Sequence, residues 1–223
     1  MKKTYLLMSM LLLTIALTSC SNDNDESRKV SFDPKYNISY YEEMPGLNEK
    51  LGYFYNNGHG NEFIDLEPQS SAPYSLLIVT RNQQGEEALN YLMENNGSVV
   101  LDKYAMGPQG EYLVVTTKYF ESPYFFVSAS YRAKDSSEPF SLFILPTVSV
   151  CMKEDHNVNA VRLSYSDILM FQEDDYDRTK WNFPYQFNCS LNTSRELLRL
   201  SSTISQRKDV EWAQADMYLP IIY

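Results

Sequence analysis

The two histidines of this chain are its best candidates for acid–base or metal chemistry, and neither stands in a metal-binding pattern. His59 lies in the glycine-containing run 56–62, and His156 follows Glu154 and Asp155. Neither has the second histidine of an HExxH or HxH arrangement, which a zinc site needs at close spacing. We therefore predict two exposed loop histidines, no metal site and no cofactor.

Carboxylates are the other candidates for catalysis, and they are too numerous for the sequence to single out a pair. The chain has 29 Asp and Glu residues, whereas glycoside hydrolysis needs two carboxylates at a set separation across a cleft. The densest acidic run, 172–177, lacks the glycine and the distal glutamate of a calcium-binding EF-hand loop. A GxSxG nucleophile motif is absent as well. No catalytic residue is predicted, and a hydrolase with a carboxylate pair stays open as an alternative.

Tyrosine is unusually frequent, with 18 residues beside 11 Phe and 2 Trp. A tyrosine combines an apolar ring with a polar tip and loses little side-chain entropy when it is fixed, which suits it to recognition surfaces. The alternative is that half-exposed tyrosines simply favour β-strands. The candidate binding aromatics are Tyr40, Tyr41, Tyr53, Tyr55, Trp181 and Tyr185.

The N-terminus has the layout of a secretory signal peptide. Lys2 and Lys3 precede an apolar run over 5–17. Thirteen helical residues span only ~20 Å, which is short of the ~30 Å hydrocarbon core of a bilayer. The run is therefore typical of a signal-peptide core rather than of a spanning helix.

The end of that run, Leu17-Thr18-Ser19-Cys20, resembles the lipobox of bacterial lipoproteins. In that family the cysteine sulfur receives a diacylglycerol, and the signal peptide is removed just before the cysteine. The resemblance implies lipid attachment at Cys20 and loss of residues 1–19. Two or three acyl chains hold a protein stably at a membrane, whereas one chain binds only marginally.

Residues 20–30 are predicted to be an acidic, flexible tether between the lipid and the folded domain. An aspartate directly after the cysteine would resemble the inner-membrane retention signal of many diderm bacteria. This chain has Ser21 at that position. The acidic run 22–26 resembles the surface-export signal of lipoproteins in some gut-type diderm anaerobes. We therefore expect a lipid-anchored protein of the outer membrane, and a surface-exposed rather than a periplasmic position is favoured.

The charge of the mature chain argues against a nucleic-acid partner. Loss of residues 1–19 removes two lysines and no acid, so the formal net charge falls from −10 to −12. Affinity for nucleic acid depends on neutralised phosphates, and docking of the protein body on anionic lipid needs basic residues. The expected contact with the membrane is thus the lipid anchor alone.

With Cys20 acylated, Cys151 and Cys189 remain. An exported protein meets an oxidising environment, so a disulfide between them is one candidate. Two buried free thiols are the other, because pairing needs Cα atoms within ~7 Å. A thiol hydrolase built on Cys151 would need a free thiol of low pKa.

Hydrophobic periodicity predicts one helix over 85–96 and a second over 194–206. The first has Ala88, Leu89, Leu92 and Met93 on one stripe, and the second follows the capping-box pattern 193–196. Alternating or apolar runs predict strands, at 36–41, 51–55, 74–80, 98–104, 111–120, 124–132, 140–152, 158–164, 183–191 and 210–223.

These elements predict a β-rich α+β fold, mainly antiparallel sheet or a decorated β-sandwich. One domain over 31–223 is expected, and two smaller domains split near 134–139 are the alternative. The expected function is a membrane-anchored binding or interaction module for a glycan or an envelope protein. The alternatives are the secreted hydrolase with a carboxylate pair and a fimbria-like structural subunit.

Overall fold

The chain is described by a computed structural model over residues 29–47, 49–56, 61–95, 99–106, 110–134, 141–154, 156–172 and 184–219. Within these ranges it forms antiparallel sheets and α-helices. The strands, in chain order, are β1 (Lys29–Asp33), β2 (Ile38–Tyr41), β3 (Leu51–Asn56), β4 (Asn61–Pro68), β5 (Tyr74–Thr80), β6 (Val100–Ala105), β7 (Glu111–Thr116), β8 (Tyr119–Glu121), β9 (Phe125–Ala129), β10 (Tyr131–Ala133), β11 (Phe143–Met152), β12 (Leu169–Phe171), β13 (Tyr185–Cys189) and β14 (Val210–Tyr218).

The described strands form four sheets, and all their pairings are antiparallel. Two sheets have three strands, in the orders β1-β2-β8 and β10-β4-β3, and two have four strands, in the orders β6-β7-β5-β9 and β12-β13-β11-β14. Together with three helices they make a β-rich α+β fold, so the predicted fold class is confirmed.

Both helices predicted from periodicity are present. Helix α1 (Gln83–Asn95) begins two residues earlier than expected, because the Asn82 side chain accepts a hydrogen bond from the Gly85 N–H at 3.0 Å and so caps the first turn. Helix α3 (Ser194–Ser205) follows Thr193, whose hydroxyl oxygen accepts from the Glu196 N–H. That bond is the one that the capping pattern predicted, and the Thr193 hydroxyl also donates to the Glu196 carboxylate at 3.0 Å.

A third helix, α2 (Asn159–Ser164), stands where the sequence predicted a strand over 158–164. That prediction is wrong because the buried residues Val158 and Val161 are three apart, which is helical spacing. The Asn157 side chain also accepts from the Asn159 N–H at 2.8 Å and starts the turn.

Strand boundaries differ from the expectation where the chain passes from one sheet to the next. The predicted strand over 124–132 is interrupted at Ser130, which separates β9 from β10. There the Ser130 N–H donates to the Ser75 carbonyl on β5, and the Ser130 carbonyl accepts from the Gln69 N–H beyond β4. Tertiary contacts with two different sheets therefore divide one apolar run into two strands.

The buried apolar side chains form one hydrophobic cluster that includes residues from Ile38 to Ala215. Phe120 on β8 and Phe125 on β9 meet edge to face inside it, with ring centroids 6.0 Å apart, and so join two of the sheets. Among the described residues, no helix has the length and apolar character that crossing a bilayer requires.

The loop between α3 and β14 contains an ion pair that predicts a pH dependence of stability. The Arg207 guanidinium donates to both carboxylate oxygens of Asp209, at 2.9 and 2.8 Å. These hydrogen bonds hold the pKa of Asp209 below its ordinary value, against the opposing effect of burial. A lowered folded-state pKa gives a stabilisation that is present above pH ~4 and is lost as the pH falls further.

We therefore expect Asp209→Asn to lower the free energy of unfolding at pH 7 and to flatten its decline below pH ~4. Urea unfolding of wild type and variant from pH 7 to pH 3 measures this difference. The prediction is contradicted if the free energies of unfolding of wild type and variant change in parallel from pH 7 to pH 3. The control is Lys208→Gln, at the position before Asp209.

Candidate functional site

The candidate aromatics are distributed over different sheets rather than gathered into one patch. Tyr40 on β2 is buried, and its neighbour Tyr41 is half-buried. Tyr53 packs against the core from β3, and Tyr185 on β13 lies 6.1 Å from the Phe171 ring. The Tyr55 side chain and Trp181 lie outside the described residues. The described members of this group therefore do not form a shared binding surface.

Cys151 and Cys189 are two buried free thiols, which is the second of the two alternatives for this pair. The candidate disulfide is absent because the register separates them. β11 and β13 pair Thr147 with Asn188 and Val150 with Tyr185, which puts the cysteines five positions apart along the strands, about 16–17 Å. Burial raises the pKa of the Cys189 thiol, so this thiol lacks the activation that a cysteine nucleophile needs.

His156 is exposed, and its Nδ1 lies 3.1 Å from the Glu154 carbonyl oxygen. His59 and the acidic residues 173–177 lie outside the described residues. In the part of the chain that the structure describes, no three His, Cys, Asp or Glu side chains are grouped closely enough to hold a metal ion.

The open edge of the sheet β6-β7-β5-β9 has the features of a protected edge strand. β6 carries a bulge between Val100 and Asp102. Lys103 on this strand donates to the Asn90 side chain of α1 at 3.3 Å. Bulges and lysines on an edge hinder pairing with another chain, so this edge gives no support to a fimbria-like subunit that accepts a donated strand.

A charged cleft of ≈ 710 Å³ lies over the sheet β10-β4-β3. Asp65 and Glu67 are two residues apart on β4 and therefore point to the same face of the sheet. Lys50 Nζ lies 3.7 Å from Asp65 Oδ1, and Arg132 donates to Glu67 at 3.0 and 3.2 Å. The lining residues are Leu47, Glu49, Lys50, Leu51, Asp65, Leu66, Glu67, Pro68, Ser70, Arg132 and Lys134.

The two carboxylates of the charged cleft are the best placed for the hydrolase alternative. Their Cα atoms are ~6.6–6.8 Å apart by the rise of a strand, which is near the carboxyl spacing of inverting glycoside hydrolases. Each of them, Asp65 and Glu67, faces a cation, however. No aromatic residue of the described chain lines the cleft, so it gives the hydrolase little support.

A second depression, the polar pocket, has a volume of ≈ 220 Å³ and lies where β2, β8 and the start of α3 meet. Eight of its nine lining residues are polar, and they supply amide, hydroxyl, carboxylate and guanidinium groups. They are Asn37, Ser39, Glu121, Ser122, Pro123, Asn192, Thr193, Arg195 and Glu196. A pocket with this lining favours a small ligand that both donates and accepts hydrogen bonds.

The turn between β1 and β2 and the end of β8 form one side of the polar pocket. Asn37 occupies the left-handed region with φ 47° at the turn between β1 and β2, a conformation that asparagine tolerates better than most residues. Ser39 pairs with Glu121 across β2 and β8. The Ser122 hydroxyl donates to the Tyr36 carbonyl at 2.9 Å and ties the end of β8 to the same turn.

Arg81 positions the other side of the polar pocket, which is the segment before α3. Its guanidinium donates to the Ser190 carbonyl at 2.9 Å, to the Leu191 carbonyl and to the Asn192 side-chain oxygen. The Asn192 carbonyl also accepts from the Val127 N–H at 2.8 Å. Residues 190–192, just before α3, are therefore hydrogen-bonded to Arg81 and to β9. These hydrogen bonds place Asn192 at the pocket.

One of the predicted aromatics, Tyr41, contacts the polar pocket. Its hydroxyl donates to Glu121 Oε2 at a long distance of 3.5 Å. Arg195 lies between the two depressions, since it lines the polar pocket while its Nη1 is 3.9 Å from Glu49 Oε1 in the charged cleft. The pocket thus has an aromatic neighbour at one edge and a partly buried ion pair at the other.

Sequence reasoning did not find either depression, although part of the signal was present. The capping pattern at Thr193 indicated where α3 begins, and alternation on β4 could have paired Asp65 with Glu67. Nothing local indicated that Asn37 and Asn192 would come together.

Comparison with protein-family models, with curated proteins and with solved structures finds no match for this chain.

Proposed function

We propose that this protein is a lipid-anchored binding module that holds a glycan in the polar pocket. The observation that carries the proposal is the composition of that pocket, in which eight of nine lining residues are polar. Sugars present hydroxyl groups that donate and accept hydrogen bonds. Amide side chains can do both in return, carboxylates accept, and a guanidinium donates.

The charge of the polar pocket favours a neutral sugar over a small anion. Glu121 and Glu196 oppose the single guanidinium of Arg195 in the lining, so an added anion would meet an excess of negative charge. The volume of ≈ 220 Å³ suits one sugar unit or the end of a chain rather than a drug-sized ligand, whose pockets start at about 300 Å³.

The position of the pocket agrees with an anchor at Cys20. The tether would join the domain at Lys29, where β1 pairs Lys29 with Tyr41, whereas the turn with Asn37 follows the Asp33–Ile38 pair at the other end of these strands. Four residues of strand separate the two ends by ~13 Å. A domain held at Lys29 on the outer membrane would therefore keep the Asn37 side of the pocket away from its point of attachment, while Tyr41 at the near end reaches Glu121 of the pocket.

The test is binding by the chain from Ser21 to Tyr223, which keeps every described strand and helix and omits the lipid-bearing cysteine. An array of neutral and acidic glycans identifies ligands, and calorimetry measures their affinity. We expect the double variant Asn37→Gly, Ser39→Ala to bind about ten-fold more weakly, because two hydrogen bonds of ~0.5–1.5 kcal/mol each are lost.

Glycine at position 37 keeps access to the positive φ of this turn, so the double variant should melt near the wild-type temperature. Ser166→Ala, at an exposed position after α2, is the matched control and should bind normally. The glycan proposal fails if no glycan binds, or if the pocket variant and the control bind equally well.

A further inference from the structure

We propose that the charged cleft binds an extended, acidic segment of a partner polypeptide. This ligand and this surface are separate from the glycan and the polar pocket. The proposal rests on the order of charges across the sheet β10-β4-β3, on their exposure, and on the spacing of two cations, one on β10 and one just after it.

The acids of the cleft lie on its central strand, and cations flank them on both sides. Asp65 and Glu67 are on β4; Arg132 pairs directly with Glu67 across β10, and the Lys134 N–H donates to the Asp65 carbonyl. Lys50 comes from the other side, just before β3. The sheet therefore carries an acidic row between two basic borders.

The basic borders project further into solvent than the acids do. The side chains of Lys50 and Arg132 are 74% and 71% exposed, whereas those of Asp65 and Glu67 are 34% and 38% exposed. Each pair includes a well-exposed cation, and ion pairs of this kind contribute ~0–1 kcal/mol to stability. Arg132 can consequently turn toward an incoming anion at little cost to the fold, whereas Lys50 faces the buried Oδ1 of Asp65.

Lys134 is the exposed cation of the cleft that has no acidic partner among the described residues. Lys50 and Arg132 pair with the two acids of β4. Glu49, the third acid, is held by two hydrogen bonds from Arg199 of α3. Within the described part of the cleft, Lys134 is therefore the cation that a carboxylate of an acidic ligand can meet without displacing another acid.

The spacing of the cations selects an extended polypeptide. Arg132 lies on β10 and Lys134 lies one residue past its end, where the Lys134 N–H still donates to the Asp65 carbonyl. Both line the cleft, and the rise of extended chain puts their Cα atoms ~6.6–6.8 Å apart. An extended peptide with Asp or Glu at every second position presents its carboxylates at the same interval. Such a segment can meet both cations at once, and its remaining side chains can contact Leu47 and Pro68 in the lining.

The test uses two synthetic twelve-residue peptides of the same composition. One alternates Glu with Thr, and the other has all its Glu residues in one block. We expect the chain 21–223 to bind the alternating peptide more tightly than the block peptide in fluorescence anisotropy, with an affinity that falls as salt rises. Arg132→Gln, Lys134→Gln should weaken this binding at least ten-fold.

The matched control is Lys153→Gln, Lys208→Gln, which removes the same charge at two residues that do not line the cleft. The control should bind the peptide normally, and melting temperatures show that both variants fold. Equal binding of the two peptides, or of the cleft variant and wild type, overturns the proposal. So does tighter binding of polygalacturonate or of phosphatidylglycerol vesicles through Arg132 and Lys134.

Discussion

Replacing Phe125 with alanine is expected to lower the free energy of unfolding by about 3–5 kcal/mol. Phe125 is fully buried on β9 and packs edge to face on Phe120 of β8, so it joins two sheets. The change removes a large ring and leaves a cavity that neighbouring strands cannot fill without breaking their pairing. A loss of this size is a large part of the 5–15 kcal/mol that stabilises a typical domain.

Urea unfolding followed by circular dichroism measures the effect, and Phe32→Ala is the matched control. Phe32 lies on the edge strand β1 and is 49% exposed, so the same change there should cost far less. Similar losses for Phe125→Ala and Phe32→Ala would mean that the contact between the two sheets contributes little to stability.

Replacing Cys20 with alanine is expected to abolish lipid attachment entirely and to leave the precursor uncleaved. The thiolate is the group that receives the diacylglycerol in proteins with a lipobox, and alanine has nothing to acylate. The uncleaved precursor keeps the apolar run 5–17, so the experiment measures the lipid itself. Intact mass and incorporation of labelled fatty acid give the result.

Cys151→Ala is the control for this experiment because it also removes one thiol, here a buried one. It should mature and incorporate labelled fatty acid as the wild type does. Labelled fatty acid on Cys20→Ala, or wild-type protein that still carries residues 1–19, would rule out the proposed anchor. Loss of the anchor should leave glycan binding by the soluble chain unchanged, since Asn37 and Ser39 lie in the folded domain.

Local sequence signals predicted the fold class and the helices α1 and α3. In both helices the apolar residues repeat at helical spacing, and a side chain caps the first turn. These effects act within a few residues, which is why they can be read from the chain without its partners. The strand Tyr74–Thr80 was predicted to the residue, because a short apolar and β-branched run favours a buried strand.

Longer-range contacts decided what the local pattern left open. Residues 158–164 were predicted as a strand and form α2, since a short apolar run suits either element until its packing partner is known. The disulfide alternative depended on strand register, which pairs β11 and β13 so that Cys151 and Cys189 are far apart. Register is a tertiary property, and two strand-like runs in a sequence do not contain it.

The sequence by itself determined the β-rich fold, the acidic charge and a predicted lipid anchor at Cys20, because each depends on composition or on neighbouring residues. Only the tertiary structure decided which side chains meet. It brought Asn37 and Asn192 into one pocket and paired Arg132 with Glu67 across two strands. The residues of each pair are more than sixty positions apart in the sequence. Binding sites need groups that converge in space, and convergence comes from how sheets and helices pack rather than from any local pattern.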